Sequence, residues 1–143
     1  MKYRWFSEGT FRYYKIIKND TNYNLDDLTK LLNTSYWAKD RKKETVKKTV
    51  ENSLCYFAYD TDKNKLIGFA RAITDYTTNY YICDVIVDEE CRGEGIGKKL
   101  IETLTNDEDL VHVRGLLITK DAKKFYEKFG FYNKEDVMQK DKK

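Results

Sequence analysis

The residues best suited to bind a charged ligand are three glycines and three cations within DEECRGEGIGKKL (88–100). Strand-forming residues precede this loop and a helical pattern follows it, so main-chain N–H groups and the positive end of a helix dipole point into one space. Gly95 and Gly97 lack the Cβ atom that would block a phosphate oxygen. Arg92 can donate two hydrogen bonds to such an oxygen, and Lys98 adds a positive charge. The loop therefore predicts an anion site in which a diphosphate would engage several groups together.

Two common phosphate-binding motifs do not fit this spacing. The Walker motif requires Ser or Thr after Gly-Lys, but Lys99 follows Gly97-Lys98. The dinucleotide motif GxGxxG requires a third glycine at the position of Lys98. The pattern that remains is Arg-x-x-Gly-x-Gly, with Arg92, Gly95 and Gly97 as its fixed residues.

Apolar periodicity predicts the elements that precede this loop. The first expected elements are a strand at 11–17, a helix that begins at Asn24, and a mostly exposed helix at 40–53 with Asp40 as its cap. Turn-forming segments divide the next stretch into three strands, at 54–59, 66–73 and 80–87. These three strands predict an antiparallel meander.

The elements after the loop predict a mixed sheet. A helix is expected behind the glycines, with its apolar stripe at Ile96, Leu100, Ile101 and Leu104. A strand at about 111–119 should precede a helix that Gly130 terminates, and a last strand is expected from Phe131. Because a helix joins two strands that should run parallel, the class is α/β with a mixed, mostly antiparallel sheet.

Composition limits the kind of protein. The 143 residues include 41% hydrophobic residues and no linker-like segment, so a single domain over 1–143 is expected. A net charge of +3 with dispersed lysines argues against nucleic acid as a partner. Unpaired cysteines and the lack of a signal-like or bilayer-length apolar stretch indicate a cytoplasmic protein with no membrane partner. One histidine and no zinc motif predict no metal site.

The loop and one later segment together resemble the GNAT superfamily, the acetyl-CoA-dependent N-acetyltransferases. The family's pyrophosphate loop reads Arg/Gln-x-x-Gly-x-Gly/Ala between its fourth strand and third helix, and Arg92, Gly95 and Gly97 match it. DAKKFYEKFGF (121–131) is similar to the family's later Ala-x-x-Phe/Leu-Tyr-x-x-x-Gly-Phe segment. The resemblance covers about residues 11–138 and includes uncharacterised bacterial members. It implies six to seven strands, about four helices, and a splay between strands 4 and 5.

The resemblance also implies where acetyl-CoA binds as cosubstrate. The pantetheine arm would pair with the end of the fourth strand near a bulge, at Val85, Ile86 and Val87. The pyrophosphate would be bound by Arg92 and by the following loop residues, which are Gly93, Glu94, Gly95, Ile96, Gly97 and Lys98. Thr119 replaces the asparagine often found at the end of the fifth strand. The Glu94 carboxylate would repel a diphosphate, so we expect its side chain to turn outward.

The implied reaction is direct attack of an amine on the acetyl thioester, without an acyl-enzyme. Tyr126 matches the family position whose phenol protonates the leaving thiolate. A phenol with a pKa of about 10 keeps its proton at neutral pH and can donate it to sulfur. Considered by periodicity alone, Tyr126 would be one more aromatic residue in an apolar stripe.

The base that accepts the amine proton is left open. Some relatives carry a carboxylate about eleven positions before the arginine, but Tyr81 occupies that place here. Asp84, polar in an apolar strand, is the nearest candidate; a structural carboxylate and a water chain are the alternatives. Strand alternation places Asp84 on the face opposite Tyr81 unless a bulge intervenes.

The acceptor is expected to be a primary amine of a small or amino-acid-like molecule. Tyr36, Trp37 and Arg41 lie in a region that often walls the acceptor cleft in relatives, although core packing would also explain Trp37. If Arg41 or Arg71 faces the cleft, the acceptor would carry a carboxylate. A non-catalytic acetyl-CoA sensor and a protein N-acetyltransferase are the alternative functions. A homodimer is expected from the family alone.

Overall fold

Six strands form one sheet in the computed structural model, which describes residues 1–143. The strands are β1 (Lys2–Ser7), β2 (Thr10–Lys18), β3 (Leu54–Asp60), β4 (Lys65–Thr74), β5 (Asn79–Val87) and β6 (Arg114–Leu117). They lie side by side in chain order, from β1 at one edge to β6 at the other. Only β5 and β6 run parallel. The predicted mixed, mostly antiparallel sheet is confirmed.

Four helices cover the two faces of this sheet. They are α1 (Leu25–Asn33), α2 (Lys43–Glu51), α3 (Ile96–Thr105) and α4 (Lys123–Glu127). On one face, Leu28 of α1 and Val46 of α2 pack in a buried cluster with Phe57 and Phe69 of the sheet. α3 lies on the opposite face over a second buried cluster, which α4 joins through partly buried aromatic residues. None of the helices combines the length and apolarity needed to cross a membrane.

α1 forms where the sequence predicts it. The side chain of Asn24 accepts a hydrogen bond from the main-chain N–H of Asp27 at 3.0 Å, which satisfies one of the free donors at the helix start. Leu28, Leu31 and Leu32 are buried on one side of the helix. The predicted leucine stripe therefore faces the sheet.

α2 begins at Lys43, later than the predicted cap Asp40. The side-chain amide of Asn33 donates to the main-chain oxygens of Ala38 and Arg41, at 2.9 and 3.2 Å, and holds the preceding segment in turns. Asp40 lies within those turns and does not cap the helix. The prediction of Asp40 as cap is therefore wrong.

β1 is not among the predicted strands. It pairs with β2 along its whole length, through a tight turn at Glu8 and Gly9, whose φ angles are 50° and 78°. The side chain of Trp5 faces the core, whereas Arg4 and Phe6 are exposed. β1 brings the strand number to six, within the predicted range.

The C-terminal elements are shorter than predicted. β6 covers only part of 111–119, because the main-chain N–H groups of Leu110 and Val111 bond back to Asp107 in a turn. No strand forms from Phe131 onward; its ring packs instead against Tyr126, with the ring centroids 6.0 Å apart. The charged residues that follow are exposed and pair with no strand.

Candidate functional site

The C-terminal half of β5 separates from β6. Parallel pairing runs only from Asn79 with Arg114 to Ile82 with Leu117, so residues 83–87 have no strand partner on that side. Main-chain groups on an unpaired edge can bind an extended ligand. Because β1 is an added strand, β5 and β6 are the strands predicted as fourth and fifth, and the predicted splay between them is confirmed. The residues predicted to bind the pantetheine arm lie along it: Val85, Ile86 and Val87.

A β-bulge disturbs the other side of β5. Arg71 of β4 pairs with Cys83 and Phe69 pairs with Ile86, so β5 carries one extra residue between these two pairs. Asp84 lies in the bulge with a φ of +54°, in the left-handed region. One extra residue changes the alternation of side chains along the strand. The sequence places Asp84 on the face opposite Tyr81 unless a bulge intervenes, and the structure contains this bulge.

The three glycines of the loop differ in whether the backbone conformation requires them. Gly93 and Gly95 have φ angles of +82° and +85°, a backbone conformation that residues with a Cβ rarely adopt. A Cβ at either position would meet nothing within 4 Å. At Gly97, a Cβ would lie 3.5 Å from Val87 and 4.0 Å from Phe125, which is ordinary contact. The chain itself therefore requires glycine at 93 and 95 but would accept alanine at 97.

The start of α3 differs from the starts of α1 and α2. Asn24 caps α1 and Asp26 lies in its first turn, while Glu44 lies in the first turn of α2. α3 has neither a side-chain cap nor an acidic residue there, and its first turn contains Lys98 and Lys99. Lys99 is paired with Glu102 at 3.5 Å, so the positive helix end and Lys98 are the groups without a paired counter-charge. Such a helix start attracts an anion.

Arg92 and Glu94 are both exposed beside this helix start. Nε of Arg92 donates to the main-chain oxygen of Val87 at 3.1 Å, which holds the guanidinium against the end of β5. Its terminal nitrogens keep their donors for another acceptor. The exposure of Glu94 agrees with a carboxylate that turns outward.

Tyr126 is half-buried in α4. Its ring packs against Phe125 and Phe131, with centroids 5.0 and 6.0 Å apart. The hydroxyls of Tyr56 and Tyr59 donate to carboxylates, whereas Tyr126 has no such partner. Burial alone raises the pKa of Tyr126 to about 12. At neutral pH, this phenol is therefore protonated, and it does not donate a hydrogen bond to a carboxylate.

Thr119 lies on the β6 side of the splay, between β6 and α4. Its hydroxyl oxygen accepts a hydrogen bond from the main-chain N–H of Ala122 at 3.0 Å, which starts the turn into α4. The hydroxyl proton is still available for donation. The lone histidine, His112, is exposed in the turn before β6 rather than in the predicted strand.

Asp84 is the most heavily bonded carboxylate of the site. One oxygen accepts from Arg41 and from Nε of Arg71, each at 2.6 Å, and the other accepts from the Trp37 indole at 3.1 Å. Arg71 also donates to Ser53 at 3.1 Å. Burial would raise the pKa of Asp84, but the two guanidinium groups together lower it below its usual value. A carboxylate held in this way has little tendency to take up a proton.

The contacts of Asp84 test several of the predictions made from the sequence. Asp84 contacts Arg71, so its side chain lies on the same face of the sheet as Arg71. Tyr81 pairs with Ile73, which is two residues beyond Arg71 in β4 and therefore points to that same face. The bulge thus places Asp84 and Tyr81 on one face. Trp37 is 45% exposed and bonded through its indole, so core packing does not explain it. The ion pair itself was predictable, because Arg71 and Asp84 are opposite charges in neighbouring apolar strands.

The cysteines of this site are not candidate nucleophiles. All three cysteines are free thiols, and burial raises the pKa of Cys83 to about 11, so it stays protonated at neutral pH. No group of three or more His, Cys, Asp or Glu side chains is placed to hold a metal ion. The groups that this part of the chain presents are main-chain amides, a phenol and the cations.

Replacing Asp84 should cost considerable stability. We expect Asp84→Asn to lower the free energy of unfolding by about 3 kcal/mol, because it leaves the buried Arg71 guanidinium without its counter-charge. Urea unfolding at pH 7 measures this. The matched control is Asp26→Asn, which breaks the exposed ion pair with Lys43 and should leave the midpoint unchanged. Equal midpoints for wild type and Asp84→Asn would contradict the expectation.

Acid should unfold the protein partly through the same carboxylate. The folded-state pKa of Asp84 is depressed, so its contribution to stability is complete above the unfolded pKa of about 3.9 and is lost as pH falls through the folded pKa. Asp107 acts with the same sign, because hydrogen bonds from Tyr56 and Lys18 outweigh its burial. We expect the unfolding free energy to be flat from about pH 7 to 5 and to fall below about pH 4. Asp84→Asn should flatten that fall; an unchanged acid slope would count against the assignment.

Known proteins with similar sequences belong to one enzyme family. Residues 51–133 match the family model described as acetyltransferase (GNAT) domain. The uncharacterised N-acetyltransferase ycf52 of Gracilaria tenuistipitata var. liui is 32% identical over 118 residues, which cover 79% of this chain and 64% of that relative. The chain thus spans slightly less than two thirds of that relative's length.

Solved structures share the architecture. A GNAT-family protein from Xanthomonas campestris pv. campestris superimposes with a TM-score of 0.81 at 28% identity, over 89% of this chain and 92% of that one. An aminoglycoside 6'-N-acetyltransferase complexed with coenzyme A has a TM-score of 0.55 at 26% identity, over 63% of this chain and 52% of that one. The first comparison confirms the predicted fold class.

Proposed function

The chain belongs to the GNAT family of acetyltransferases, and on that premise we propose that it transfers the acetyl group of acetyl-CoA to a primary amine of a small or amino-acid-like molecule. The start of α3 carries the proposal. Its main-chain N–H groups, left-handed Gly93 and Gly95, and unpaired Lys98 follow the unpaired end of β5 after one short 3-10 turn at Glu89–Cys91. An anion site and an extended-chain site thus adjoin, which suits a diphosphate joined to a linear arm.

The residues proposed to hold acetyl-CoA form the two sides of the splay. On the β5 side, the main chain of Val85, Ile86 and Val87 would meet the arm. The pyrophosphate would be bound by the Arg92 side chain and by the main chain of Gly93, Glu94, Gly95, Ile96, Gly97 and Lys98. Thr119 would donate its hydroxyl from the β6 side. When bound, acetyl-CoA supplies a thioester that an amine can attack directly.

Tyr126 is the proposed general acid for the leaving sulfur. Its position is supported by Phe125, the neighbouring residue in α4, which lies close to Gly97 at the start of α3. A raised pKa of about 12 keeps the phenol protonated, and no carboxylate competes for its proton. A protonated donor near a developing thiolate is the requirement for general acid catalysis here.

A water chain is the proposed route for the amine proton. The other candidate, Asp84, would have to give up an ion pair with Arg41 or Arg71 before accepting a proton. Water needs no such exchange, and the exposed side chain of Tyr81 shows that this part of β5 is open to solvent. The proposed mechanism therefore uses the enzyme to orient the amine and to protonate the leaving thiolate.

The acceptor cleft is proposed to lie beside the α1–α2 connection (residues 34–42). The exposed rings of Tyr36 and Trp37 stack edge to face there, 5.2 Å apart, and can contact the carbon skeleton of an amine. Arg41 and Arg71 are both bonded to Asp84, so recognition of an acceptor carboxylate is not part of the proposal. A net charge of +3 supports a small acceptor over a nucleic acid, and we propose a cytoplasmic site of action.

Two measurements test this function. Calorimetry should show binding of acetyl-CoA, and release of the coenzyme A thiol should follow with at least one member of a panel of small amines, amino acids and peptides. Binding without thiol release for any amine would favour a sensor, and release with peptides alone would favour a protein N-acetyltransferase. No binding at all would refute the proposal.

A further inference from the structure

Asp84 connects both walls of the proposed cleft. Its side chain is 2% exposed and is bonded to Arg71 on β4 and to Trp37 and Arg41 on the α1–α2 connection. Its own main chain forms the bulge that begins the unpaired segment of β5. One side chain therefore links the acceptor wall to the cofactor strand.

The bulge decides which way the next residues face. Val85 and Val87 pack toward the α3 cluster, whereas Ile86 packs with α1 and α2. Without the extra residue, each side chain after Cys83 would turn to the opposite face, because a shift of one residue reverses strand alternation. The shape of the arm-binding segment thus depends on the backbone at Asp84.

That backbone conformation needs support from outside the strand. A left-handed φ at a non-glycine residue is a strained conformation, which persists where its surroundings support it. The surroundings here are two guanidinium groups and an indole, which meet both carboxylate oxygens. The three contacts are oriented to hold the bulge in place.

We propose that Asp84 is a positioning residue, which holds the β5 bulge in the form that acetyl-CoA requires and does not accept the amine proton. This inference rests on the proposed function, since it concerns the strand that would bind the pantetheine arm. Besides the two arginines, the titratable groups near Asp84 are Tyr81, Cys55 and Cys83. Burial raises the pKa of all three, so no neighbour is a competing base near neutral pH.

The test compares Asp84→Asn and Arg41→Gln with wild type. Calorimetry gives the Kd for coenzyme A, and steady-state kinetics give KM for acetyl-CoA and kcat between about pH 6 and 9. We expect both variants to raise Kd and KM at least about tenfold, while kcat at saturating acetyl-CoA stays within about threefold and its pH profile keeps its shape. Arg41→Gln leaves Asp84 paired with Arg71 and carries the test if Asp84→Asn does not fold.

Asp107→Asn is the matched control. Asp107 is a partly buried carboxylate with several partners, Tyr56 and Lys18 among them, but it lies away from the β5 bulge. Its loss should reduce stability and leave Kd and KM unchanged. An unchanged Kd in Asp84→Asn and Arg41→Gln would overturn the inference. A second refuting result is the one expected for a base: kcat falls about 100-fold at constant Kd, and one limb of the pH profile of kcat is lost. Failure of the proposed function would appear differently, as a wild-type protein that binds no coenzyme A.

Discussion

Gly95→Val should abolish measurable binding of acetyl-CoA. Gly95 has a φ of +85° and is the residue from which α3 begins, so a β-branched side chain there would force the helix start out of its present conformation. Several main-chain N–H groups would then lose their common direction toward the phosphates. Each charge-assisted hydrogen bond contributes about 1.5–3 kcal/mol, so the expected loss of affinity is at least about 100-fold. Calorimetry with acetyl-CoA measures it.

Gly9→Val controls for backbone strain. Gly9 has a φ of +78° in the β1–β2 turn, and a Cβ there meets nothing within 4 Å, as at Gly95. The same substitution therefore imposes similar strain in the β1–β2 turn, outside the loop that is proposed to bind the pyrophosphate. Gly9→Val should bind acetyl-CoA like wild type. If Gly95→Val retains wild-type affinity, the loop does not bind the pyrophosphate; if both variants lose affinity equally, the effect comes from general destabilisation.

Tyr126→Phe should reduce kcat by about 100-fold or more with little change in the Kd for acetyl-CoA. The ring and its contacts with Phe125 and Phe131 remain, so the substitution removes only the proton donor. Since burial raises the pKa of Tyr126 to about 12, the phenol stays protonated in the wild type and its ionisation should not limit the rate below about pH 10. Thiol release at saturating amine, followed across pH, is the measurement.

Tyr132→Phe is the control for that variant. Tyr132 is 77% exposed in the segment after α4, so loss of its hydroxyl should leave the rate unchanged. A Tyr126→Phe protein that turns over at the wild-type rate would remove Tyr126 from the mechanism. Its role would then be the packing of α4 against the sheet.

Local patterns in the sequence were sufficient to predict most of the fold. Asn24 and the leucines behind it specify a capped, amphipathic helix, and the three strands from 54 to 87 alternate or run apolar between turn formers. These features act over a few residues, so they can be read without the tertiary structure. The same holds for the loop from Arg92 to Lys98, where glycines and cations occur at fixed spacing.

Features that depend on distant partners were harder to predict. The Asp40 cap fails because Asn33 binds the main chain of the following turns, and the strand after Phe131 fails because its ring packs on Tyr126. The contact between Asp84 and Arg41 is the clearest case. Arg41 lies 43 residues away in sequence from Asp84, so alternation within β5 gives no information about that contact.

Gly97 sets a limit on how far this protein can be stabilised without loss of ligand. Glycine in a helix is about 1 kcal/mol less favourable than alanine, and a Cβ here would meet Val87 and Phe125 at ordinary contact distances. A selection for heat resistance alone should therefore recover Gly97→Ala readily. In a screen that also demands coenzyme binding, the same substitution should be rejected, because its methyl group would occupy the space that we propose for a phosphate oxygen.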